Sequence, residues 1–265
     1  MTRARLAVVG LVLSGLVLSG LVSSVFGPDA GAGQLRGRAR GSITVFAASS
    51  LANAFTKLGH DFERSHPETA VAFSFNASSA LAAQIDEGAP ADVFASADAA
   101  SMAKAVDAGA ILSGPVVFAR NRLEIAVEPG NPLKIHSLAD TVKPDVTLVL
   151  CAAIVPCGRY ARSSYTKAGV HVSNVPTAET ATATLARVAL GEADAAVVYV
   201  TDVVAAQDDV DGITIPDLEN VVAVYPIGVV KETQNRALAR AFVDYVTSSR
   251  GRRTLQRFAF LAPRP

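Results

Sequence analysis

The sequence predicts an α/β protein of two lobes with a cleft between them, and three observations carry that reading. Apolar stretches of about five residues alternate with helix-patterned stretches of about ten from residue 42 to residue 258, as in parallel sheets with helices on both faces. Four of the helical stretches end at a glycine (Gly88, Gly109, Gly169 and Gly191), the residue that most readily closes a helix. Two segments, 116–127 and 222–230, each hold two strand-like stretches with little turn chemistry between them, as suits chain that passes from one lobe to the other. The first lobe is therefore expected to be discontinuous, 42–118 plus 228–265, with the second at 119–227 and hinge strands at 116–122 and 223–228.

Taken in order, 43–47 is a short apolar strand. Leu51, Ala54, Phe55, Leu58 and Phe62 then follow helical spacing up to the stop at His66-Pro67. The unit repeats with a strand at 71–75, a turn at Ala77-Ser78-Ser79 and a helix at 81–87. Another strand (91–95) and helix (98–108) follow, then strands at 116–118 and 123–127. In the second lobe the strand 146–150 leads through Cys157-Gly158 into a helix at 159–167. A short strand around Val172, a helix at 179–190 and a buried strand at 195–200 come next. Strands at 221–224 and 227–230 precede closing helices from 234 to about 258.

Composition excludes several classes. The 265 residues carry 24 Lys+Arg against 24 Asp+Glu, so there is no basic surplus to neutralise nucleic-acid phosphates. Half of the chain is apolar, which argues against disorder. The single long apolar run, 6–26, follows Arg3 and Arg5 and precedes Ala30-x-Ala32, the pattern of an export signal cut near Ala32. A retained anchor helix is the alternative. Residues 1–33 are thus expected to be a signal peptide and 34–41 a linker, in a protein that works outside the cytoplasmic membrane. In that oxidising setting Cys151 and Cys157, the only cysteines, are expected to pair, two buried thiols being the alternative. The four histidines, His60, His66, His136 and His171, are scattered and show no metal-ligand spacing. A G-x-S-x-G nucleophile elbow is absent, which argues against a serine hydrolase.

Four strand-to-helix junctions could carry chemistry: Ala48-Ser49-Ser50, Ala77-Ser78-Ser79, Pro156-Cys157-Gly158 and Glu179-Thr180-Ala181. First-turn N–H groups of a helix have no intrahelical partner and carry partial positive charge, so each junction could face an anion. A lone serine there is ordinarily just a cap. Tyr199, at a strand end, could equally be bonded inside the protein, whereas Tyr160 and Tyr165 lie on a helix and suit the core or rim.

The stretches ITVFAASSL (43–51), SFNASSALAAQIDEGAPADVFASAD (74–98), VPCGRYA (155–161) and GEADAAVVYVTD (191–202) resemble, in order and register, the periplasmic molybdate-binding proteins of ABC importers, and the resemblance runs from 43 to about 260. It implies the two-lobe type II periplasmic-binding-protein fold and a monomer that hands molybdate or tungstate to a membrane permease. It also implies a ligand held by uncharged donors, with neither a cofactor, a direct metal ligand nor catalysis. Carried over, Ser50 and Ser78 would each offer a hydroxyl and a backbone N–H, Cys157 and Ala181 backbone N–H groups, and Tyr199 its hydroxyl. Two departures stand out: Cys157 where the family often has Ala, and Thr180-Ala181 where it often has Asp-Val, which leaves Thr180 as a competing donor. A tetrahedral dianion offers only acceptors, so a donor-only shell suits it and rejects a protonated ligand. Sulfate is the nearest rival, to be separated by size. With no histidine or carboxylate in the shell, binding is expected to change little between about pH 6 and 8.

Overall fold

The computed structural model describes residues 40–112 and 114–264, so the signal segment 1–33 and all of the linker but its last two residues lie outside the described residues. Strand β1 (Gly41–Ala48) begins two residues earlier than expected, with Arg40 paired to Glu68 at 2.8 Å. Val45, Phe46, Ala47 and Ala48 are all buried, which marks a central strand covered on both faces. It pairs in parallel with β2 (Thr69–Asn76) on one side and β3 (Val93–Ala95) on the other. A 3-10 turn, Ser49–Leu51, carries β1 into α1 (Ala52–Ser65), which buries Ala54, Phe55, Leu58 and Phe62 on one face. Gly59 lets that helix lie on the sheet: a Cβ there would sit 2.7 Å from the Phe73 ring. Helices α2 (Ser78–Asp86) and α3 (Ala99–Asp107) follow β2 and β3. The four helix-closing glycines have φ between 68° and 89°, the left-handed region expected of them.

Strand β4 (Val116–Asn121) lies at the far edge of this sheet, and the chain then crosses through Arg122 into β5 (Leu123–Val127) of a second sheet. The second sheet is completed by β6 (Leu148–Cys151), β7 (Thr177–Ala178), β8 (Ala195–Tyr199) and β9 (Asp211–Thr214), in the order β7-β6-β8-β5-β9. Helix α4 (Pro156–Lys167) lies between β6 and β7, α5 (Ala181–Ala189) between β7 and β8, and α6 (Val200–Ala205) directly after β8. The chain returns in β10 (Ala223–Val229), giving the first sheet the order β2-β1-β3-β10-β4, and ends in α7 (Arg236–Thr247) and α8 (Ser249–Arg257).

Three expectations are corrected. The boundaries at 118/119 and 227/228 fall inside β4 and β10, both of which belong wholly to the first sheet; the crossings lie at Arg122 and between Thr214 and Ala223. The sheets are mixed, not parallel: β10 runs antiparallel to β3 and β4, and β5 antiparallel to β8 and β9. A strand that arrives straight from the other sheet has no crossover helix to reverse its direction. The short strand expected near Val172 lies at Thr177–Ala178 instead.

Candidate anion site

The parallel strands β1, β2, β6 and β7 all point their C-terminal ends at one place, where open α/β sheets bind ligands. The 3-10 turn follows β1 directly, so Ser50 lies just before α1. Ala77 caps α2 with extended backbone, which makes Ser78 the first helical residue. Pro156 opens α4, where a missing N–H costs nothing, and Cys157 comes second. Thr180 caps α5 and Ala181 opens it. A small cavity is lined by Ser50 and Ser78 from the first lobe and by Cys157, Ala181 and Tyr199 from the second. All five residues singled out from the sequence therefore meet in one cleft.

The hydroxyls there can act as donors to a ligand. Ser78 Oγ accepts the Ala97 N–H at 2.9 Å, which leaves its own proton free for the cavity. Ser50 Oγ lies 3.0 Å from the Tyr225 hydroxyl, and Asn121 Nδ2 donates to that same Tyr225 oxygen at 3.3 Å. Either hydroxyl can donate in that pair, and when Tyr225 donates to Ser50 the Ser50 proton is free for the cleft. Tyr199 is 1 % exposed, and its hydroxyl has no hydrogen-bond partner among the described residues. A buried hydroxyl left unpaired is costly, so its position calls for an acceptor from outside the chain. Burial pushes its pKa well up, which keeps the proton on. Thr180 spends its side-chain oxygen on its own helix, accepting the Ala183 N–H at 3.0 Å, while Ala181 sits one residue further in with its first-turn N–H. Among the described residues no charged side chain lines this cavity.

A carboxylate does lie behind it. Asp202 Oδ2 accepts the Tyr199 backbone N–H at 3.2 Å, and burial pushes the carboxyl pKa up to about 7. It lines a second space of about 610 Å³ that shares Ser49 and Ser50 with the small cavity. Asp202 sets a rival expectation to a flat pH response between about 6 and 8. An ionised Asp202 behind Tyr199 repels a dianion, so affinity is expected to fall as pH rises through about 7. Asp202 and Tyr225 were both missed in the sequence. Asp202 stands three residues after Tyr199, the N3 place of a helix-capping carboxylate, which was the signal available.

Cys151 and Cys157 are bridged, with Cα atoms 5.8 Å apart, which pins the loop that leads into α4. Gly158 completes that close approach, since a Cβ there would meet the Ala152 carbonyl oxygen at 2.0 Å. The Cys151→Ser/Cys157→Ser variant is expected to fold, lose about 2 kcal/mol of stability and bind its anion a few-fold more weakly. Thermal unfolding and titration check both; unchanged binding would make the bridge purely structural. Tyr165 donates to or accepts from Thr141 at 2.6 Å, away from the cleft, and His60, His136 and His171 are exposed. His66 stacks on Phe62. Among the described residues no cluster of three or more His, Cys, Asp or Glu could hold a metal ion.

Two α/β lobes that meet at a small donor-lined cleft define a two-lobe solute-binding protein. Residues 43–261 match the family of bacterial extracellular solute-binding proteins, and the chain belongs to that family. It is 43 % identical over 222 residues to the molybdate-binding protein ModA of Mycobacterium tuberculosis, covering 84 % of this chain and 85 % of the relative. The ModA of Escherichia coli is 33 % identical over 230 residues, with 83 % and 89 % covered. Among solved structures, the periplasmic molybdate-binding protein of Azotobacter vinelandii superposes with a TM-score of 0.75 at 20 % identity, covering 84 % of this chain and all of that one. The sulfate-binding protein SubI of M. tuberculosis superposes equally well, TM-score 0.76 at 16 % identity over 85 % and 88 %. Likeness at that identity establishes the fold, not the ligand.

Proposed function

We propose that this protein captures molybdate, and tungstate with it, outside the cytoplasmic membrane and delivers the anion to the permease of an ABC importer, without catalysis. The observation that carries the reading is the orphaned Tyr199 hydroxyl facing Ser50, Ser78, Cys157 and Ala181 in a cavity lined, among the described residues, by no charged side chain. A tetrahedral dianion would give Tyr199 the acceptor it lacks and would meet donors from both lobes at once. Binding would thereby favour the closed arrangement of the lobes, with the crossings at Arg122 and between Thr214 and Ala223, next to β4 and β10, as the hinge. Neutral donors at helix starts stabilise the charge without a buried lysine or arginine. The relatives named molybdate-binding proteins support the choice of anion.

The rival reading is sulfate, favoured by the likeness to SubI. Sulfate is the smaller anion, and in a shell set for molybdate some donors would stand too far away for good hydrogen bonds. Calorimetric titration of the exported form with molybdate, tungstate and sulfate tests this. One-to-one binding of the first two, undisturbed by a large excess of sulfate, is expected. Sulfate binding as tight as molybdate would overturn the assignment.

A further inference from the structure

Arg159, in the first turns of α4, reaches across the cleft to the other lobe. Its Nε donates to Asp98 Oδ2 at 3.0 Å, and its Nη2 donates to the same oxygen and to Ser101 Oγ at 3.2 Å. Its Nη1 donates to the Ile154 carbonyl, within the disulfide-pinned loop of its own lobe. Asp98 is 3 % exposed and divides its two oxygens, because Oδ1 accepts the Ser101 N–H at 2.9 Å and so caps α3. The loop that ends at Asp98 also carries Ala97, whose N–H is held by Ser78 Oγ. One guanidinium thus ties the loop whose Ala97 N–H is held by Ser78 to the loop that leads into Cys157, one from each lobe.

We propose that Arg159 and Asp98 form an interlobe clasp that holds the cleft shut over the bound anion and so sets how slowly the anion leaves. Arg159 is a positioning residue in this reading, and the proposal rests on the anion-binding function argued above. Opening the lobes must separate the two charges, whereas the open form that first meets the anion has no such bond to break. Asp98 is buried while Arg159 is about a third exposed, and losing the partner of a buried, hydrogen-bonded carboxylate acts mainly on dissociation.

The test is stopped-flow and calorimetric binding of molybdate to the parent, Arg159→Gln, Arg159→Lys and Asp98→Asn proteins. Dissociation is expected to quicken about tenfold in Arg159→Gln and Asp98→Asn, with association within about twofold of the parent. Arg159→Lys, which keeps the charge, is expected to recover part of the loss. The double variant Arg159→Gln/Asp98→Asn should be no worse than either single one, because the two act through one bond. A merely structural role for Arg159 would lower the unfolding temperature without separating the two rates. Unchanged dissociation in Arg159→Gln, or full additivity in the double variant, overturns the clasp and leaves the anion-binding reading intact. If the parent protein itself fails to bind molybdate, that reading fails, and the clasp falls with it.

Discussion

Replacing Tyr199 by phenylalanine is expected to lower molybdate affinity by about ten- to a hundred-fold, the equivalent of one hydrogen bond to a charged group. The substitution removes one oxygen and leaves the ring, which packs edge-on against Tyr225 at 5.8 Å. Because the hydroxyl has no partner within the described residues, its loss should cost the ligand-free fold little and can even relieve an unsatisfied group. Binding and stability should therefore separate, the first falling sharply and the second holding or rising. Ser78→Ala should weaken binding by a similar factor but also lose stability, because it strips the Ala97 N–H of its acceptor. Tyr165→Phe is the control: it breaks the bond to Thr141 and should leave affinity unchanged. Titration of the three variants beside their unfolding curves checks all of this, and an unaltered affinity in Tyr199→Phe would remove that hydroxyl from the shell.

Asp202→Asn is expected to make the protein more stable at pH 8 than the parent, by up to a few kcal/mol, and to change little at acidic pH. The carboxyl has an ordinary value of 3.8 and is raised to about 7 in the folded protein, where burial disfavours the charged form. A folded-state pKa above the unfolded one means that the native state holds the proton more tightly. The associated stability is complete below about pH 4 and is lost as pH rises through about 7. Asparagine never ionises, and its oxygen still accepts the Tyr199 N–H that Asp202 now holds. Other carboxylates act in the opposite direction, since hydrogen bonds from Lys143, His136 and Ser137 hold Asp140 well down. The difference between variant and parent isolates Asp202 from them. Urea unfolding at pH 5 and pH 8 measures it; parallel pH profiles would show that Asp202 is ionised, or protonated, throughout. The same variant should flatten the decline in anion affinity above about pH 7.

Much of this was legible in the sequence because it is local. The junctions at Ser50, Ser78, Cys157 and Ala181 are short strand-to-helix steps whose residue types dictate the turn, and parallel pairing then brings their ends together. What escaped depends on neighbours distant in the chain. Tyr225 meets Ser50 across 175 residues, and Arg159 meets Asp98 across 61. Strand β9 was not foreseen because its Asp211 and Gly212 are poor strand formers, tolerated at the sheet edge. The passage between lobes near Arg122 was legible from its two adjoining strand-like stretches, but nothing in them gives the exact residue of crossing or the antiparallel direction in which β10 and β5 then pair.

The central claim is that uncharged donors from both lobes hold the anion directly. Diffraction from crystals grown with molybdate, recorded at the molybdenum absorption edge, locates the metal atom of the bound anion without ambiguity. A single strong anomalous peak enclosed by Ser50, Ser78, Cys157, Ala181 and Tyr199 is the predicted result. A peak elsewhere on the molecule, such as against a lysine or arginine, or no peak in the cleft at saturating molybdate, would contradict it.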